Sequence, residues 1–224
     1  GFSFQRSKFN RATQALRQIG STFKPILYTA AIDRGLTPAT MLVDEPHAFE
    51  VGTGQALYEP RNYDGKFDGP LTLRTALERS RNVPAVLVME MLGPAQVAPY
   101  ATRFGLPGEL PPYLSSALGA GESTLLALTS AYSAFPNHGV RMEPAQVLSV
   151  SDREGVTLEE HTPVARDAIR ADTAYVMTSL LRGVVQRGTA ASAAALKWPL
   201  AGKTGTVNDY TDAWFVGFDP EITL

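Results

Sequence analysis

Three short strings in this chain set hydroxyls and amines at spacings that can do acyl chemistry. The first is Ser21-Thr22-Phe23-Lys24. On a helix this spacing puts the two side chains on one face, one turn apart. A serine hydroxyl is a weak nucleophile and needs a neighbouring base, and Lys24 is within reach to be that base. At a helix start, Ser21 also stands where backbone N–H groups are unpaired and the dipole is positive. That field, with partial burial, lowers Lys24 toward a neutral, proton-accepting form. Pro25 is tolerated because it falls in the first turn. The bland alternative is a capping serine followed by a solvated lysine. Thirteen serines and five lysines among 224 residues give about 0.3 accidental matches to this spacing, so the string alone is only suggestive.

Ser80-Arg81-Asn82 is the second string. Its hydroxyl and amide can simply cap a chain break before Pro84. In a catalytic setting, Ser80 would relay a proton between Lys24 and a leaving amine, while Asn82 hydrogen-bonds a substrate amide. The third string, Lys203-Thr204-Gly205-Thr206, falls on a predicted strand. A glycine inside a strand suggests that another backbone or a ligand comes close, here at Gly205. Lys203 with the hydroxyls of Thr204 and Thr206 would hold a carboxylate, and the backbone N–H groups of Ser21 and Thr206 would form an oxyanion hole. A second cation near Lys24 lowers it further. The alternative is an edge strand with a surface lysine. Two of only five lysines stand at motif positions, so the combination is stronger than any part.

Composition closes off several other chemistries. There is no cysteine, which excludes disulfides, thiolate catalysis and zinc–thiolate sites. A net charge of −2 gives no electrostatic reason to expect nucleic acid or an anionic membrane surface. The longest apolar runs are too short to span a bilayer, and no signal peptide is visible. His47, His138 and His161 stand in loop-like contexts without a G-x-S-x-G elbow. No spacing gives a metal site, and no phosphate-binding glycine loop is present, so no metal or cofactor is expected. Glu90 and Glu122 read as structural or solvated.

The elements that must position these strings are helical first and stranded late. Apolar residues at i, i+3, i+4 spacing predict an amphipathic helix over residues 21–34, stopped by Gly35. Residues 37–70 read as a long irregular excursion with short strands at most. A helical pattern over 71–92 is interrupted near 82–84, and further helices are predicted over 95–104, 124–135 and 172–187. A hairpin is predicted from strands 145–150 and 157–160. Strands 200–206 and 213–218 are joined by the turn-formers Asn208-Asp209-Tyr210. Residues 221–224 begin another apolar β-like segment, so strands outside the chain at one or both ends are expected to complete the sheet.

The strings occur in the order S-x-x-K, S-x-N, K-T-G, the signature of active-site serine enzymes that react with penicillin. With residues 9–15 leading to 20–25, residues 58–64 and 69–77, Ala117-Leu118-Gly119 with Glu122, Ala131-Tyr132 and the run 202–217, the chain resembles the transpeptidase domain of class A (bifunctional) penicillin-binding proteins. Ile19 stands where that family often has proline, and Val207 where threonine is common. The resemblance implies an α+β fold of the serine β-lactamase/transpeptidase type, an antiparallel sheet flanked by helices. It implies one transpeptidase domain over 1–224, truncated at both ends, with a mainly helical subdomain at about 36–190. Ser21 would be the nucleophile, Lys24 the base, Ser80 and Asn82 the proton relay. Lys203, Thr204 and Thr206 would recognise a carboxylate, with Gly205 in the same substrate-binding wall.

The reaction implied is acylation of Ser21 by the D-Ala-D-Ala end of a peptidoglycan stem peptide, then cross-linking by a neighbouring amine. β-Lactam antibiotics would be covalent inhibitors. The resemblance also implies a glycosyltransferase domain and a membrane anchor outside this chain, and work on the extracytoplasmic face of the bacterial inner membrane, in the periplasm of a Gram-negative cell. Two other readings stay open: a D,D-carboxypeptidase or β-lactamase, in which water replaces the amine, and a penicillin-binding sensor without turnover.

Overall fold

The computed structural model describes residues 3–50, 52, 56–206 and 213–224. The first string begins with a 3-10 turn, Gly20–Phe23, that runs without a break into α2 (Lys24–Asp33). Pro25 sits in the first turn, where its missing N–H is not needed. The predicted amphipathic helix is instead buried all round from Lys24 to Ala31. The cause is in the sequence: residues 25–32 carry no charge, so the helix has no face that prefers water.

Three helices close around α2: α4 (Asn82–Leu92), α5 (Pro94–Arg103) and α7 (Ala171–Arg187). α7 keeps one apolar stripe, with Met177, Leu180, Leu181 and Val184 fully buried. α6 (Leu125–Ser133) is capped by the Thr124 hydroxyl, which accepts from the Ala127 N–H at 3.2 Å. α3 (Leu73–Glu78) is capped in the same way by Thr72. These elements share one continuous apolar core that also takes in Ala201, Val216 and Phe218.

Every sheet among the described residues is a two-stranded antiparallel pair. β9 (Ala201–Thr206) pairs with β10 (Ala213–Phe218) in a register that sets Thr206 opposite Ala213 and Ala201 opposite Phe218. β9 packs on α7 and on the 3-10 turn. β2 (Met41–Asp44) pairs with β3 (Gly69–Thr72) and brings both ends of the irregular excursion together. β5 (Val140–Met142) pairs with β8 (Ala165–Asp167). The predicted hairpin forms, but its first strand, β6, covers only Ser149–Ser151 against β7 (Thr157–Glu160). Its turn is set by the Asp152 carboxylate, which accepts from the N–H groups of Glu154 and Val156. The Asn208-Asp209-Tyr210 turn and Val207 lie outside the described residues. Beyond β10 the chain turns back, and Gly217 and Leu224 exchange backbone hydrogen bonds at 2.8 Å.

Residues ahead of Ser21, unassigned by pattern, form α1 (Arg11–Gln14) and β1 (Arg17–Gln18). β1 pairs with β4 (Glu122–Ser123), and the Gly20 N–H donates to Gly119 O at 3.1 Å. Gly119 has φ +74°, and a Cβ there would lie 2.0 Å from Gly20 O. Gly119→Ala therefore meets both backbone strain and a clash, at about 2–4 kcal/mol. Its thermal midpoint should fall by about 5–10 °C. A midpoint within about 1 °C of the parent would mean that this contact does not hold the turn.

Candidate active site

Ser21 is the second residue of the 3-10 turn, so its N–H comes before the first one donated within the turn, that of Thr22 to Ile19 O at 3.2 Å. The turn is fastened from several sides. The Thr22 hydroxyl donates to Ile19 O at 2.6 Å, Tyr132 OH donates to Thr22 O at 2.8 Å, and Trp214 Nε1 donates to Gln18 O at 3.0 Å. The Ser21 side chain is half-buried and makes no hydrogen bond among the described residues.

Gly205 presses on the same turn. A Cβ there would meet the Thr22 side chain at 2.7 Å and Ile19 O at 3.0 Å. The glycine in this strand thus admits a close approach, and the partner is the protein's own Ser21-bearing turn.

Lys24 is completely buried. Its amine lies 2.6 Å from Ser80 O, 2.7 Å from Asn82 Oδ1 and 3.1 Å from Arg81 O, acceptors of which the neutral amine serves two at a time, and stands 3.4 Å from Ser80 Oγ. The first string is thus tied to all three residues of the second. Burial, then the nearby Lys203 ammonium, holds Lys24 well below the ordinary lysine range, while buried Asp44 pulls the other way.

Lys203 is equally buried. Its amine donates to Ser80 Oγ at 2.8 Å and to Thr204 O at 2.9 Å. Burial lowers it from 10.5 to about 7. One hydroxyl therefore lies between two amines that both resist carrying charge. A neutral amine keeps two donor hydrogens and one lone pair, so a proton can be taken up or returned along this line.

Ser80 itself has φ +57°. For a residue with a Cβ, this left-handed conformation costs about 1–3 kcal/mol and persists only where the surroundings impose it. The turn 79–81 separates α3 from α4, so the break in the helical pattern falls just ahead of the predicted 82–84, which instead open α4 with Pro84 in its first turn.

The hydroxyl side of Lys203-Thr204-Gly205-Thr206 faces a cleft of about 930 Å³. Ser21, Ser80, Asn82, Thr204 and Thr206 all line it, so these five candidates converge on one space, while Lys24, Lys203 and Gly205 lie behind its wall. Sequence reasoning missed Thr189, whose hydroxyl lies 2.6 Å from that of Thr204 on the cleft wall. It also missed buried Asp44 and Asn62 beneath the second string. Asn62 falls in one of the segments that carry the family resemblance, but no spacing rule marks it as part of a site. Among the described residues, no group of three or more His, Asp or Glu is placed to hold a metal ion. No helix among the described residues is long and apolar enough to cross a membrane.

Residues 3–223 match the family model of the penicillin-binding protein transpeptidase domain. Penicillin-binding protein 1A of Neisseria lactamica is 43% identical over 99% of this chain and 29% of its own length. The counterpart from Rickettsia bellii is 38% identical over 100% of this chain and 31% of its own length. The chain thus spans less than a third of these relatives. The crystal structure of penicillin-binding protein 1A from Haemophilus influenzae superposes with a TM-score of 0.91 at 31% identity, covering 97% of this chain and 38% of that one. Penicillin-binding protein A of M. tuberculosis, solved as a penicillin G acyl-enzyme complex, gives 0.81 at 25% identity, covering 95% and 54%. The predicted α+β transpeptidase-type fold is therefore found.

The buried lysines make stability depend on pH. Lys203 binds its proton less readily folded than unfolded, so between its folded value of about 7 and the ordinary 10.5 the unfolded chain holds more protons. Unfolding free energy should rise with pH across that window, by up to about 1.4 kcal/mol per pH unit for each such group. Urea midpoints at about pH 7.5 and about pH 9.5 test this, and Lys203→Met should flatten the rise. A flat or falling midpoint would mean the lysines are not held neutral.

Proposed function

The chain belongs to the penicillin-binding protein transpeptidase family, and from that premise we propose that it is a D,D-transpeptidase domain that cross-links peptidoglycan stem peptides through an acyl-enzyme on Ser21. The single observation that carries the reading is the Ser80 hydroxyl held by two fully buried amines, at 2.8 Å from Lys203 and 3.4 Å from Lys24, on the cleft that Ser21 lines.

In the proposed first half-reaction, Lys24 in its neutral form accepts the Ser21 hydroxyl proton while Ser21 Oγ bonds to the carbonyl carbon of the penultimate D-Ala. The carbonyl oxygen becomes an oxyanion, received by the N–H groups of Ser21 and Thr206. The C–N bond to the terminal D-Ala then breaks. Its amine leaves with a proton passed from Lys24 through the Ser80 hydroxyl, which gives one and takes one. Asn82 keeps Lys24 oriented and offers its amide to the donor peptide. Lys203, Thr204 and Thr206, with Gly205 allowing the strand to sit close, receive the terminal carboxylate.

In the second half-reaction an amine of a neighbouring stem peptide attacks the ester. Its proton returns along the same line, and Ser21 departs with a proton restored. A β-lactam follows the first half only. Its ring amide is the bond that breaks, and the leaving nitrogen stays tethered, so the ester persists.

The mainly helical part at about residues 36–190 and the part carrying Ser21 and Lys203 would form the two sides of the cleft. The relatives are more than three times as long as the chain. The rest of such a protein is proposed to bring a peptidoglycan glycosyltransferase and a membrane anchor, placing this domain on the extracytoplasmic face of the cytoplasmic membrane.

Incubation with benzylpenicillin followed by mass spectrometry tests the reading. The parent should gain one adduct on Ser21, and Ser21→Ala none. Lys24→Ala should acylate slower by about 10²–10⁴-fold, the usual worth of a positioned base. Release of D-Ala from a donor peptide, with cross-linked product only when an amine is added, separates transpeptidation from hydrolysis. Acylation with no release of D-Ala in either condition would establish a penicillin-binding protein without turnover.

A further inference from the structure

The turn that presents Ser80 does not support itself. Ser80 is left-handed at φ +57°, and α4 begins at Asn82 with no side-chain cap from Arg81. The missing acceptor comes from 20 residues upstream: Asn62 Oδ1 takes the Asn82 N–H at 2.7 Å. Asn62 is only 4% exposed. Its Nδ2 donates to Asp44 Oδ1 at 2.7 Å and to Lys66 O at 2.9 Å, which fixes the carboxamide the right way round. Asp44, itself fully buried, also accepts from the Asp68 N–H at 3.0 Å.

The same loop grips the middle residue of the string. The Arg81 guanidinium makes a two-pronged pair with Asp68 at 2.6 Å on each prong and reaches Asp64 at 2.8 Å. The last residue is held too, with Asn82 Nδ2 donating to Arg61 O at 2.7 Å. These contacts lead back from residues 81–82 to residues 61–68 and Asp44.

We infer that Asn62 is a positioning residue for acyl transfer: by fixing the Asn82 N–H it holds the strained turn that places the Ser80 hydroxyl between Lys203 and Lys24. This rests on the proposed relay role of Ser80. Asn62 makes no hydrogen bond to either amine; it lies at the cleft wall and braces Asp44, and its link to the Ser80 hydroxyl runs through the turn. A displacement of about 1 Å takes a 2.8 Å contact out of hydrogen-bond reach.

The test is a double-mutant cycle on the rate of acylation by benzylpenicillin, read by mass spectrometry on the parent, Asn62→Ala, Ser80→Ala and the pair, with thermal melting of each. Asn62→Ala should acylate at least about tenfold slower than the parent. In the Ser80→Ala background the same change should cost less than about twofold, because its effect runs through the Ser80 hydroxyl. Asn62→Ser, which leaves a smaller void, is read identically if the alanine variant does not fold. Equal slowing in both backgrounds would mean general damage and overturn the inference, as would a folded variant acylating at the parent rate. A parent that gains no adduct would overturn the proposed function with it, whereas a reactive parent confines failure to Asn62.

Discussion

Lys24 and Lys203 have no exposed surface, and their amines stand 3.4 and 2.8 Å from one Ser80 oxygen. Two ammonium groups so placed would repel each other without water to screen them. Burial answers this by disfavouring the charged forms, and Lys203 comes down to about 7. The surroundings supply neutral acceptors near both amines: carbonyl oxygens, the Asn82 amide and the Ser80 hydroxyl. Asp44 is the nearby carboxylate that pulls Lys24 back toward its charged form, and it makes no direct hydrogen bond to the amine. The site holds a proton loosely, which is the property that proton relay requires.

That condition explains why α2 is buried all round from Lys24 to Ala31. An amphipathic α2 would leave one face to water, and an amine hydrated there would keep its charge. Enclosure by α4, α5 and α7 removes the water. Enclosing a helix so completely demands an uncharged run after the lysine, and residues 25–32 supply it. The apolar sequence that builds the core is the same sequence that conditions Lys24.

The three strings were legible because chemistry constrains their residue types and spacing. So were the main helices and the β9–β10 pair, whose patterns are local. The partners of Lys24 were legible only in part: Ser80 was expected beside it as a relay, but not the carbonyl oxygens and amide oxygen of residues 80–82 that lie closest to the amine. Spacing suggested a pairing with Ser21 along one helix face, yet the amine's hydrogen bonds go to residues 80–82, more than fifty positions away. A 3-10 start turns differently from an α-helix, and no sequence pattern fixes where a flexible four-carbon stem ends. Asp44 and Asn62 were silent for a related reason. A buried polar pair is specified by mutual satisfaction across distant segments, and each residue alone looks like an ordinary loop position. Gly205 was read correctly as a place of close approach, but its partner could come only from the fold.

That close approach makes the strings one packing unit. Gly205 lies on Thr22 and Ile19, Lys203 reaches Ser80, and Lys24 reaches residues 80–82. Moving any one of the three displaces a contact of both others. Such a closed triangle suits a left-handed serine, since a conformation that costs energy is kept only when several neighbours fix it at once. The costs fall together in a few residues: two buried amines, a strained φ at Ser80, and the tight Gly20–Gly119 contact. The apolar core around α2 and α7 is large enough to hold them in place. A surface version of the same strings would keep the residue types and lose the chemistry, because exposed lysines stay charged and an unbraced Ser80 relaxes.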